Sequence, residues 1–194
     1  MRKKKQAQVP EIPELERELK RERYNRRYRR TLKSTIYTLI TVAAVAILVA
    51  TLWLPVLEIY GSSMAPTLND GQIVLSWKTD KLETGQIVAF YYNNKILVKR
   101  VIAQSGDWVN IDGEGTVYVN GQQLEEPYLA DKALGECDIE LPYQVPENRV
   151  FVMGDHRSTS IDSRSTAVGC VAEDQIVGRL IMCVWPFADF GTIE

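Results

Sequence analysis

The chain has 194 residues and a mass of 22.0 kDa, room for one domain of ordinary size plus a short appendage, which excludes a large multidomain enzyme. With 45% hydrophobic and 25% charged residues it is neither disordered nor collagen-like, and three cysteines do not make a disulfide scaffold. The net charge of -2 is unevenly spread: residues 1–33 hold 13 Lys/Arg against 5 Asp/Glu (+8), and residues 34–194 hold 10 against 20 (-10).

Residues 1–33 form the basic segment. Within it, 11–30 pairs Glu16 with Lys20 and Glu22 with Arg26 at four-residue spacing, which supports a short exposed helix at a membrane surface. The run 34–57 follows without a single charge. Twenty residues from Thr35 to Leu54 span roughly 30 Å as a helix, the thickness of a bilayer's hydrocarbon core. Its polar residues form no stripe, and Trp53-Leu54-Pro55-Val56-Leu57-Glu58 makes a poor cleavage site, so the segment reads as an uncleaved membrane anchor. Arg23, Arg26, Arg27, Arg29, Arg30 and Lys33 crowd its N-terminal side, which places that side in the cytoplasm and residues 58–194 outside. Topology accounts for this basic charge, so no nucleic-acid partner is expected.

After Val56 the apolar residues come in short runs at 72–77, 86–92, 96–103, 116–119, 149–153 and 175–185. Turn signals separate them: Asn69-Asp70-Gly71, Asn93-Asn94, Asp112-Gly113 and Asn120-Gly121. The pattern predicts a mainly β domain, an antiparallel sheet or barrel built from hairpins. Region 122–148 is polar and reads as a long excursion from the sheet.

Two places break this pattern. Gly61-Ser62-Ser63-Met64-Ala65-Pro66-Thr67-Leu68 makes a tight bend after a strand over 56–60 and presents a hydroxyl close to the membrane exit. In the second, Lys99 and Arg100 stand side by side in an apolar strand and point to opposite faces. At least one of them enters an apolar surface or an interface; a lysine loses its charge there and an arginine does not, while an open sheet edge would let Lys99 reach water. A neutral lysine beside a serine is an alternative to histidine as base in acyl transfer. By counting alone a Ser-His-Asp arrangement around His156 stays open, since Asp155-His156-Arg157 opens a hydroxyl-rich segment through Arg164.

Ser63-Met64-Ala65-Pro66-Thr67-Leu68, then Val98-Lys99-Arg100-Val101 with Gly106-Asp107, then Gly154-Asp155-His156-Arg157 through Ser160-Ile161-Asp162-Ser163-Arg164 resemble, in order, the sequence boxes of bacterial type I signal peptidases. With one N-terminal anchor the chain looks most like the small enzymes of Gram-positive bacteria. The resemblance implies a serine endopeptidase on a β-fold behind one transmembrane helix, with Ser63 as nucleophile and Lys99 as general base. It implies that Ser160 hydrogen-bonds and orients the Lys99 amine, and that Arg100, Asp155, Asp162 and Arg164 form supporting ion pairs. Its substrates are exported preproteins cut after small residues in an Ala-X-Ala pattern, with pockets near Ile59 and Val98. The lipid bilayer is a partner, a monomer is expected, and no metal or organic cofactor is implied.

Two positions depart from the family pattern. Gly61 stands where many relatives carry a hydroxyl that helps bind the oxyanion, which leaves the Ser63 amide as donor. His156 stands where Asn is common, and a structural role is expected for it. A Cys137–Cys170 bridge is open, and Cys183 reads as packing. Rival readings are a self-cleaving Ser/Lys regulator, which the anchor disfavours, and a catalytically silent anchored adaptor.

Overall fold

The computed structural model describes residues 12–79 and 81–193. The first eleven residues of the basic segment lie outside the described residues. The chain divides into two units, Met1–Val49 and Ala50–Glu194.

The helix α1 runs without a break over Ile12–Trp53, 42 residues or about 63 Å. The short surface helix expected over 11–30 is therefore the first part of this longer one. The reason is local: Pro13 sits in the first turn, where its missing N–H costs nothing, and no Gly or Pro occurs from Glu14 to Leu54. Inside the apolar stretch the hydroxyls of Thr38 and Thr41 donate to the carbonyls of Ser34 (2.9 Å) and Tyr37 (2.8 Å), so they present no unsatisfied donor to lipid. The helix is long and apolar enough to cross a membrane and is exposed from Ile12 to Leu52. It stops before Pro55, and Val56 and Leu57, which close the apolar run, belong instead to a strand.

The second unit is built from twelve strands: β1 (Val56–Glu58), β2 (Ile73–Trp77), β3 (Ile87–Tyr92), β4 (Lys95–Ala103), β5 (Trp108–Ile111), β6 (Val117–Val119), β7 (Gln122–Gln123), β8 (Tyr143–Gln144), β9 (Arg149–Met153), β10 (Val171–Ala172), β11 (Ile176–Trp185) and β12 (Gly191–Thr192). Every pairing is antiparallel. The larger sheet has the order β1-β2-β11-β3-β4-β9-β10, with β12 beside β11; the smaller has the order β7-β6-β5-β8. All six expected strands are present, shortened by at most one residue at an end except that β4 begins one residue earlier. The turn chemistry explains their register. Asn93-Asn94 closes the β3–β4 hairpin with Tyr92 opposite Lys95, and Asn120 (φ 53°) with Gly121 (φ 80°) supplies the two left-handed residues of the β6–β7 turn.

Three buried clusters form the core. Ile102, Val109, Val117, Phe151 and Met153 fill the space against the small sheet. Val88, Phe90, Val101, Val150 and Val152 form another. The third places the candidate site: Ile59, Met64, Leu68, Val74, Ile87 and Leu180 pack together, and three of these come from the segment joining β1 to β2.

Candidate active site

The segment between β1 and β2 is fixed from both ends and from below. Ile59 N donates to Gln72 O (2.8 Å) and Gly71 N to Ile59 O (2.8 Å), which closes the base of the loop. Gly61 has φ +84°, a left-handed conformation that favours glycine, and its amide donates to Asp70 Oδ1 at 2.6 Å. Leu68 N bonds Met64 O (2.9 Å) in one helical turn, so Met64 and Leu68, four residues apart, drop into the same core cluster. Burying those two side chains holds Ser63, the residue just before, at the rim. From the other side His156 N donates to Ser63 O (3.0 Å), and His156 Nδ1 lies 3.3 Å from Ser62 O. His156 thus braces the loop's backbone.

Lys99 on β4 is 4% exposed, and its Nζ lies 2.6 Å from Ser63 Oγ. Residues 36 apart in the chain, singled out separately in the sequence, thus form one hydrogen-bonded pair. Burial is the main cause that lowers the Lys99 amine to a pKa of about 8; Arg164 acts in the same direction, while Asp162 and Asp155 oppose it. Among the described residues Lys99 has no ion pair.

The neighbouring Arg100 is equally buried and keeps its charge. Its Nε and Nη2 reach both Asp155 oxygens (3.0 and 2.8 Å), Nη1 donates to Gly85 O (2.6 Å), and its guanidinium lies 3.8 Å from the Tyr128 ring centre. Thr67 Oγ1 donates to Asp155 Oδ2 at 2.6 Å, which ties the Ser63 loop to this ion pair. Arg164 forks onto Asp162 through Nε and Nη2 (both 2.8 Å), and the Asp162 carboxylate also accepts from the amides of Gly154 (2.9 Å) and Arg164 (3.3 Å). A third pair, Arg157 with Glu126, is fully buried. Arg157 Nε donates to Gly154 O (3.1 Å), and Tyr128 OH donates to Glu126 Oε1 (3.1 Å). Gly154 is thereby held at both its N–H and C=O. A Cβ there would collide with Ser63 O and Ser160 Oγ, so only glycine lets this strand end approach the Ser63 loop.

Ser160 does not meet its expectation. Among the described residues its buried Oγ has no hydrogen-bond partner, so the bond to the Lys99 amine is not formed. Ser160 N is tied to His156 O (3.1 Å) and its hydroxyl packs on Gly154. Gly61 supplies no side-chain donor, and its amide is committed to Asp70. The Ser63 amide makes no hydrogen bond among the described residues. All three cysteines are free; Cys170 sits in the core cluster with Phe151 and Met153, where burial pushes its thiol up to about 11.

A groove of about 670 Å³ ends at Ser63 and Lys99. Ile59, Gly61, Met64 and Val98 line it, so the residues expected for substrate pockets lie beside the pair. Its two walls are strand edges: β1 ends the large sheet, and among the described residues 95–99 of β4 pair with β3 alone.

Sequence reasoning did not single out Asp70, Glu126 or Tyr128. Glu126 and Tyr128 lie in the polar excursion, and only the partners they meet in space distinguish them from surface residues.

Comparisons with known proteins place the chain in a family. The family model described as signal peptidase, peptidase S26, matches residues 32–185. Signal peptidase IB of Staphylococcus aureus is 40% identical over 152 residues, 68% of this chain and 78% of the relative. Signal peptidase I of Bacillus amyloliquefaciens is 35% identical over 164 residues, 78% and 84% of the two chains. A crystal structure of a signal peptidase I from Enterococcus faecalis matches with TM-score 0.45 and 30% identity, over 52% of this chain and 97% of that one. The chain belongs to the signal peptidase family, peptidase S26, a family of serine endopeptidases that cleave signal peptides from preproteins.

Proposed function

We propose that Ser63 is the nucleophile and Lys99 the general base of this signal peptidase, and that it cuts exported preproteins after small residues. The 2.6 Å contact between the buried Lys99 amine and Ser63 Oγ carries the reading. As Ser63 Oγ attacks the carbonyl carbon of the scissile bond, the neutral amine takes the hydroxyl proton. The resulting ammonium then protonates the departing amine of the mature chain, leaving an acyl ester on Ser63. A water, deprotonated by Lys99 in turn, hydrolyses the ester. The Ser63 amide is the donor for the developing oxyanion.

The substrate enters extended and adds as a strand in the groove, where main-chain hydrogen bonds to the two edges give affinity. Pockets near Ile59 and Val98 take the small residues before the cut. Arg100, Asp155, Asp162 and Arg164 hold the strand ends and loops that carry the dyad. The helix over 34–53 crosses the bilayer with the basic segment in the cytoplasm, and the β-unit works outside as a monomer beside the lipid surface.

Cleavage of a preprotein with an Ala-X-Ala site, by the full chain in detergent or vesicles, tests this. Ser63→Ala and Lys99→Ala each lower kcat/KM by about 10³-fold or more while the far-ultraviolet dichroism stays unchanged. Because the base acts when neutral, kcat/KM rises about tenfold per pH unit on the acid side and levels above a pKa of about 8. Undiminished cleavage by Lys99→Ala, or activity falling from pH 6 to pH 9, overturns the assignment.

A further inference from the structure

The groove ends along the nucleophile loop at Met64, and a second cavity, of about 220 Å³, begins at the next residue. Ala65 and Pro66 form one wall and Ala130 and Ala133 the other, with Asp155 at the inner end and Asp131, His156 and Ser158 also lining it. Asp155 is buried, whereas Asp131 and Ser158 are exposed, so the polar groups mark the mouth.

This cavity is built on fixed parts. The Ala65-Pro66 wall is held by the Thr67–Asp155 hydrogen bond, and His156 by its amide bond to Ser63 O. The opposite wall is a short bridge between two anchors. Before it, Tyr128 lies against the Arg100 guanidinium; after it, Leu134 O accepts Arg164 Nη1 at 2.6 Å. Gly135 is pressed against Arg157 O and Arg164, where a Cβ would collide. The long excursion is therefore a strap across the ion pairs, and its middle faces the nucleophile loop.

A peptide held with its acyl side in the groove reaches Ser63 at the groove's end and continues past it, about 3.3 Å per residue. We propose that the second cavity is the subsite for the start of the mature chain, and that it takes a polar or cationic side chain from one of the first two residues after the cut and disfavours an acidic one. The inference rests on Ser63 being the nucleophile. The charge of Asp155 is compensated by Arg100. Asp131 makes no ion pair among the described residues, and Lys132 beside it does not line the cavity. The mouth is accordingly negative, with His156 and Ser158 able to hydrogen-bond.

The test uses the full chain in detergent and precursor peptides that share one signal portion and carry Lys, Gln or Glu at the first or the second mature position. For the native chain kcat/KM favours Lys over Glu by about two- to five-fold at one of these positions, the size expected of an exposed charge contact. The ratio falls to near one in Asp131→Asn, and Asp131→Lys inverts it. Native cleavage with no Lys/Glu preference at either position, or a preference unchanged in both variants, removes the subsite and leaves the dyad standing. If the native chain cuts none of the peptides, the proposed function falls and the subsite with it.

Discussion

On the groove side of the Ser63 loop a buried lysine hydrogen-bonds a hydroxyl and, among the described residues, has no ion pair, whereas three buried arginines nearby each meet a carboxylate. The difference follows from what each cation is able to do. An arginine remains charged at any ordinary pH, so its burial requires a counter-ion and enough acceptors for its donors. Arg164 satisfies this with Asp162 and the carbonyls of Leu134, Arg157 and Ser160. A lysine has a second option, to shed its proton, and Lys99 without an ion pair is moved in that direction. Buried cations at neighbouring positions of one strand are thus accommodated in opposite ways.

Breaking a framework pair gives the largest effect on stability. Asp155→Asn leaves the Arg100 guanidinium buried without its counter-ion and weakens the link to Thr67, and urea unfolding is expected to show a loss of about 3–5 kcal/mol. A loss below 1 kcal/mol would mean that the pair is solvated. Glu126→Gln keeps the shape of the side chain and removes one charge beside Arg157, at a cost of about 2–3 kcal/mol. Its sharper signature is local: amide hydrogens between residues 124 and 134 exchange faster, because the ion pair that ties the start of the strap to Arg157 is weakened.

The smallest effect has the opposite sign. Lys99→Met replaces the amine with an apolar chain of similar length, so it raises stability at pH 7 by on the order of 1–3 kcal/mol while abolishing cleavage. The sign follows from linkage. A folded pKa of about 8 below an unfolded value of 10.5 means that the unfolded chain holds the proton more tightly. Native stability therefore increases as pH rises from 8 toward 10.5, and the advantage of Lys99→Met shrinks over that window. Equal melting temperatures for the two chains at pH 7 would show that the amine is not penalised by burial.

Much of this was legible in the residue order. The uncharged run before Pro55 and the alternating runs with their Asn and Gly turns carry their periods openly, and they became α1 and the six longer-range strand assignments. Strands β7, β8, β10 and β12 have two residues each, too few for any period to appear. Ser63 and Lys99 stood out because a small-residue bend and a cation in an apolar strand contradict their surroundings. Glu126 contradicted nothing, since an acidic residue in a polar loop is ordinary until an arginine 31 positions later buries it. The unpaired Ser160 hydroxyl was not foreseen for a related reason: its neighbourhood was readable, but which groups come within its reach is set by packing.

By itself the residue order determined the helix, the alternation of the strands, the charge asymmetry across the apolar run and the three motif boxes, because each depends on neighbours a few positions away. Tertiary structure alone decided that Lys99 meets Ser63, that the excursion becomes a strap over three ion pairs, and that a second cavity opens beyond Ser63. Those outcomes depend on desolvation, and which groups lose their water is set only when distant segments pack against one another.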